Sequence, residues 1–176
     1  MNNTAIFVFL VASALLMAAP EAPPVKAAEA GAAPAVRRVK SLSECPVAVQ
    51  AALKRDGYEA AVTEIRRIEA NGLVVWAFET GSEEGGRDQE TNVFYREDGT
   101  LERTETDIAL KDAPEAVRKK LGELAGSTAV VDDVEQVKEG DRITYKAELE
   151  SNGDVDRKVV LSAEGEVLSL AEEVDD

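Results

Sequence analysis

A short apolar strand entered through a two-residue turn occurs twice in this chain, and that recurrence limits the possible folds more than any other feature. Asn71-Gly72 leads into Leu73-Val74-Val75-Trp76-Ala77-Phe78, and sixty-nine positions further on Gly140-Asp141 leads into Arg142-Ile143-Thr144-Tyr145-Lys146-Ala147. Turns of this composition close hairpins between right-twisted strands. The surrounding signals recur in the same order. Pro46 precedes Val49, Ala52 and Leu53, an i, i+3, i+4 apolar stripe, and proline suits a first helical turn because its missing N–H would be unsatisfied there anyway. Pro114, Ala116, Val117 and Leu121 repeat that pattern, with Asp112 and Glu115 at capping-box spacing. Asp56-Gly57 and Ala125-Gly126 offer a glycine at each helix end.

Each helix is followed by apolar residues at every third position, Val62, Ile65 and Ile68, then Val131, Val134 and Val137. A regular strand alternates every two residues, so this spacing predicts a strand with a bulge that shifts its facing partway along. A continuing helix is the alternative, disfavoured by the poor helix propensity of Val131-Asp132-Asp133-Val134. A long polar loop is expected over residues 79–90 and a shorter one over 150–154. Third strands are expected near 92–95 and 158–161. Asp98-Gly99 and Glu164-Gly165 then turn the chain into fourth strands near 100–105 and 166–170. The fold class so predicted is α+β: two tandem repeats, 42–108 and 109–176, each one α-helix packed on a four-stranded antiparallel meander, with one sheet face open.

Ahead of these units, residues 5–19 form an apolar run shorter than the roughly 20 residues that span a bilayer. The length suits the apolar region of a secretory signal, and small residues follow at Val25-Lys26-Ala27 and Ala28-Glu29-Ala30. The expectation is a cleaved signal peptide over 1–27, although Met-Asn-Asn-Thr at its start has no Lys or Arg; an uncleaved anchor is the alternative. No Cys follows the run, so a lipoprotein anchor is not supported. Residues 28–41 read as an Ala/Pro-rich linker. It closes on Val36-Arg37-Arg38-Val39-Lys40, a basic cluster expected to lie against an acidic body.

Charge and residue usage bound the chemistry. Lys and Arg number 20 against 35 Asp and Glu, for a formal charge of −15. Such a surface repels nucleic acid and anionic membranes and fits neutral or basic partners. Histidine is absent and Cys45 is the only cysteine. That removes histidine acid–base chemistry, Ser-His and Cys-His nucleophiles and His/Cys zinc sites. Carboxylate pairs such as Asp132-Asp133 and Glu172-Glu173 are too common in so acidic a chain to signal catalysis. No phosphate cradle or nucleophile elbow is present. No enzyme activity, cofactor or metal is expected. Cys45 stands near a helix N-terminus, where backbone N–H groups would favour a thiolate; the expected reading is nonetheless a buried or bystander thiol, with an intermolecular disulfide as the alternative. Segments 79–90 and 152–156 hold oxygen donors without the spacing of a calcium loop.

Pro46-Val47-Ala48-Val49, the spacing from Val62 to Ile65, Asn71-Gly72, Trp76 and Asp98-Gly99 form one set of motifs. Pro114-Glu115-Ala116-Val117, Val131 to Val134, Gly140, Tyr145 and Glu164-Gly165 form a second. Together they resemble the PepSY-like family, whose fold is shared with the beta-lactamase-inhibitor proteins. The resemblance implies two tandem modules of a secreted or envelope-bound, non-catalytic protein. Protease-inhibiting propeptide modules and beta-lactamase inhibitors belong to that group.

The strand 73–78 also supplies the candidate site. Val74, Trp76 and Phe78 share one side, Leu73, Val75 and Ala77 the other, and both are apolar, whereas Arg142, Thr144 and Lys146 make one side of its counterpart polar. Something should therefore cover the extra apolar face. The candidates are the second unit, segment 36–42, a partner protein or a small apolar ligand. If a partner docks, Trp76, Phe78 and Val74 are the expected anchors, because large aromatics dominate interface energetics. The expected function is a periplasmic or secreted binding module that contacts an envelope protein, with an inhibitor or regulator of an envelope hydrolase as its concrete form. A periplasmic small-ligand or Ca²⁺ sensor or carrier is the alternative.

Overall fold

Proline sets the start of both helices. In the computed structural model, which describes residues 34–84, 87–151 and 155–174, α1 spans Val47–Arg55 and α2 spans Glu115–Ala125. Pro46 and Pro114 occupy the positions just before them, with extended ψ of 143° and 147°. Neither start has a side-chain capping bond, so the capping box expected of Asp112 and Glu115 does not form. Asp112 instead ends a short 3₁₀ turn, Leu110–Asp112. Beyond the end of α1, Gly57 N–H donates to Lys54 O and Tyr58 N–H to Leu53 O, the paired bonds of a Schellman cap.

The strands are β1 Ala35–Val39, β2 Val62–Ala70, β3 Leu73–Glu84, β4 Arg87–Arg96, β5 Leu101–Asp107, β6 Ala129–Glu139, β7 Arg142–Ser151, β8 Val155–Ser162 and β9 Val167–Val174. All nine lie in one sheet in chain order, each antiparallel to its neighbours. This corrects the expected pair of repeats, each a helix on its own four-stranded meander. β5 pairs directly with β6, from Thr104–Lys138 to Asp107–Glu135, so a single sheet runs through. The boundary drawn between 108 and 109 falls in the connection from β5 to α2, not between two sheets. β1 adds a ninth strand from residues assigned to the linker: Val36 pairs with Ile68 and Val39 with Ile65, and Arg38 forms an ion pair with Glu64. The expected signal segment lies outside the described residues.

Local signals fare better. β2 is bulged between Val62 and Glu64 and β6 between Asp132 and Glu135, as the three-residue spacing requires. Asn71 and Gly72 both have positive φ, 52° and 76°, the backbone of the hairpin turn that matches strand twist. Where a loop was expected over 79–90, residues 79–84 and 87–90 are strand instead, with pairing as far as Glu84 opposite Arg87. Thr, Ser and Gln tolerate extension as well as solvent, so polarity alone did not separate a loop from a long hairpin.

Register fixes which side chains share a face. Ile65 lies opposite Phe78, Arg67 opposite Trp76, and Trp76 opposite Tyr95. These apolar residues meet Val49, Ala52 and Leu53 of α1, with Val39, Cys45 and Val93, in one buried cluster. Farther along, Val117, Leu121 and Ala125 of α2 pack on Val134, Tyr145, Ala147, Leu149, Val159 and Leu161. Followed strand by strand, the pairing puts both helices on the same side of the sheet. The turn of β4–β5 closes against a helix: a Cβ on Gly99 would sit 2.5 Å from Ala48 O, and φ there is +79°. Gly165 meets Ala116 O in the same way, at 2.7 Å and φ +82°. These contacts explain why both acidic-Gly turns need glycine. Gly99→Ala is expected to cost about 3 kcal/mol or more in urea unfolding, since it meets rigid backbone as well as an unfavourable φ. Gly72→Ala, with positive φ but open space, should cost only about 1 kcal/mol.

Candidate functional site

With both helices on one side, the other side of the sheet has no layer over it among the described residues. Its apolar part centres on Ile68, Ala77 and Phe94, each under 5% exposed, with Val75 packed against them. Those residues are buried by their own neighbours on the sheet. The Arg103 guanidinium lies 3.7 Å from the Phe94 ring centroid, close enough for a cation–π contact. Arg66 reaches Glu79 at 3.3 Å and Asn92 Oδ1 at 3.1 Å. At the margin, Leu73 is 62% exposed and Val36 53%.

Next to this apolar strip runs a charged band. Glu105 is buried and bound from two sides, by Arg103 Nε at 2.7 Å and Lys146 Nζ at 2.8 Å. Lys146 also reaches Glu135 at 3.5 Å. Asp107 lies directly opposite Glu135 across the β5–β6 pairing. Burial would raise the Glu105 pKa, but Lys146 and then Arg103 more than offset it and hold the carboxyl below its ordinary range. Asp107 is the reverse. Desolvation, then Glu135, Glu90, Asp133 and Glu105, push it up to about 7. Desolvation is also the first cause that raises Glu135 and Glu90. The band therefore holds carboxylates with opposed preferences within a few residues.

The residues singled out from sequence lie elsewhere. Trp76 and Phe78 are 4% and 0% exposed, and Val74 is partly buried beside them, all on the α1 side. They form core, and the face left open is that of Leu73, Val75 and Ala77. Both sides of β3 are apolar, so alternation could not say which one the helix would take. Phe94 was missed because Asn92-Val93-Phe94-Tyr95 reads as continuous strand core. Cys45 is buried in the α1 cluster. Burial, then Glu44, raises its thiol to about 11, in keeping with the buried thiol expected from the sequence and against the thiolate that a helix start alone would favour. The possible calcium segments 79–90 and 152–156 include residues outside the described set. Among the described residues no group of three His, Cys, Asp or Glu is placed to hold a metal ion. No described helix is long and apolar enough to cross a membrane.

Comparison with known proteins places the fold. No protein-family model and no curated protein sequence matches the chain. Solved structures do. A Bacteroides eggerthii structure described as that of a periplasmic protein is 22% identical, with TM-score 0.58 over 73% of this chain and 88% of that one. A DUF2874 family protein from Bacteroides ovatus is 20% identical, with TM-score 0.57 over 73% and 87%. A BLIP-like protein from Bacteroides fragilis is 21% identical, with TM-score 0.53 over 75% and 89%. The chain has the fold of these proteins, consistent with a BLIP-like fold. The narrower PepSY-like assignment remains a resemblance of sequence motifs.

The raised Asp107 fixes the sign of a pH effect. Its carboxyl binds a proton more tightly folded than unfolded, so its stabilisation is complete below about pH 4 and is lost as pH rises through about 7. Glu105 acts oppositely: its contribution is present above the ordinary carboxylate range and fades only in stronger acid. Solvent reaches Asp107 and screens part of the repulsion, so the expected loss of unfolding free energy from pH 5 to pH 8 is about 1 kcal/mol. Urea unfolding at both pH values should show this loss in the wild type and a smaller one in Asp107→Asn.

Proposed function

We propose that this protein is a non-catalytic binding module of the bacterial envelope, periplasmic or secreted, which engages a protein partner through the sheet face opposite α1 and α2. One observation carries the reading. Ile68, Val75, Ala77 and Phe94 form an apolar strip on a face over which no described element lies, with Leu73 and Val36 exposed at its edge. Ile68, Ala77 and Phe94 are themselves buried, so the apolar surface that a partner would meet is Leu73 and Val36 with part of Val75, flanked by charge, which suits a small dry contact with a polar rim. The formal charge of −15 favours a partner that is neutral or basic where it meets this face.

The periplasmic description of the Bacteroides eggerthii structure and the BLIP-like description of the Bacteroides fragilis one accord with this setting. So do the apolar run over residues 5–19 and the small residues after it. Inhibition or regulation of an envelope hydrolase is the concrete form we favour. The docking role moves from Trp76, Phe78 and Val74 to Leu73, Val75 and their neighbours, because partner access to Trp76 would require α1 to lift from its core. For the same reason Trp76→Ala is a test of stability rather than of binding.

A pulldown from the cognate envelope extract tests the proposal. The wild type should enrich a specific partner, and Leu73→Asp, at an exposed position on the open face, should reduce recovery at least about ten-fold. Val47→Asp, still more exposed at 81% but on α1, should leave recovery unchanged. Equal recovery by Leu73→Asp, or no enriched species with the wild type, would remove the open face as a docking site.

A further inference from the structure

The sheet is unevenly joined, and its shortest join coincides with its most crowded carboxylates. β5 and β6 are held by four residue pairs, 104–107 against 138–135, where β3 and β4 share ten. Apolar packing adds little there. β5 contributes no residue to any of the three buried apolar clusters: one lies under α1, one under α2, and the third is the strip on the open face. On the helix side the seam pairs are Thr104 with Lys138 and Thr106 with Gln136; on the open side they are Glu105 with Val137 and Asp107 with Glu135. Val137, buried at 5% exposure, is the one apolar side chain among the four pairs, so burial of aliphatic surface, the usual source of sheet cohesion, is confined to a single residue of the seam.

Electrostatics must then decide how firmly the seam closes. Asp107 and Glu135 stand directly across from each other, an arrangement that destabilises a strand pair when both are ionised. The groups facing Asp107 are Glu90 from β4, Glu105 from β5, and Asp133 and Glu135 from β6. The nearest cations are Arg103 on β5 and Lys146 on β7. Arg103 bonds Glu105, while Lys146 is divided between Glu105 and Glu135. Glu90 faces Glu79, Arg66 and Glu64 on its other side. Among the described side chains Asp107 has no ion pair of its own. A proton shared across Asp107 and Glu135 would replace repulsion with a hydrogen bond.

We propose that the β5–β6 seam is a proton-operated hinge: protonation of the Asp107–Glu135 pair closes it, and deprotonation loosens it so that the α1-covered and α2-covered halves of the sheet flex about it. Partial desolvation and the four surrounding carboxylates push the solvent-reached Asp107 up to about 7, which puts the change within physiological pH. Flexing at this line alters the curvature of the open face, because the apolar strip lies on β2–β4 and Lys146 and Glu135 lie beyond the seam. The hinge does not depend on what docks there.

Amide hydrogen exchange, read residue by residue on the purified protein and corrected for intrinsic rates, tests it. From pH 5 to pH 8 the amides of 104–107 and 135–138 should lose about ten-fold or more in protection while those of 75–80 in β3 keep theirs. Asp107→Asn should retain seam protection at pH 8. Glu135→Gln removes the repulsion from the opposite strand and should do the same, which keeps the test decisive if one variant fails to fold. Protection lost equally at the seam and in β3, unchanged at both, or lost at the seam in both variants would overturn the hinge.

Discussion

One-sided coverage is the constraint on which the rest of this structure depends. Two helices, each opened by a proline, pack on the same face of a sheet nine strands wide. The buried side chains of that face, from Val49 and Leu53 to Leu121 and Leu161, supply the hydrophobic stabilisation. Among the described residues the opposite face has no such layer. It must seal itself with the side chains it already carries, and it does so in two ways. Around Phe94 it uses apolar packing under a guanidinium, and around Glu105 it uses two cations on one buried carboxylate. A buried carboxylate held in this manner is specific rather than cheap, because removal of either cation leaves charge that the surroundings cannot solvate.

The distribution of charge follows from that division. Apolar residues are concentrated where α1 and α2 need them, so the strand between the two packed regions, β5, is left with an exposed Leu101 and otherwise Thr, Glu, Arg and Asp. The same polarity that makes β5 a poor member of any core makes it a place where titration matters. Glu105 and Asp107 are two residues apart on one face, yet one is held ionised and the other is driven toward its neutral form. The difference lies in which carboxylate the cations reach. The exposed Leu73 and Val36 at the edge of the strip, beside such a band, make a reasonable surface for a partner to recognise, and one whose shape and charge respond together to protons.

Much of the local structure was legible in the sequence, and the long-range structure less so. Pro46 and Pro114 marked the helix starts, Asn71-Gly72 and Gly140-Asp141 the hairpins, and three-residue spacing the bulges of β2 and β6. Each of these is written in a few adjacent residues. The union of β5 with β6 is not, because 105 and 107 meet 137 and 135 across an intervening helix and, Val137 apart, the pairing residues are polar. No hydrophobic pattern announces such a partner. Nor could the orientation of β3 be read: with apolar side chains on both sides, only the position of α1 decides that Trp76 is core and Leu73 is surface. Val36-Arg37-Arg38-Val39 likewise looked like the end of a tether, since its pairing partner β2 lies more than twenty residues away.

The continuity of the sheet is the premise for everything said of its open face. Nuclear Overhauser contacts across β5 and β6 address it most directly. A single sheet requires cross-strand contacts joining 104–107 to 138–135 in antiparallel register, alongside those of the flanking hairpins. If those contacts were absent at pH 5, with β2–β5 and β6–β9 each giving a complete set of their own, the continuous sheet would be contradicted, and the shared face and its hinge with it.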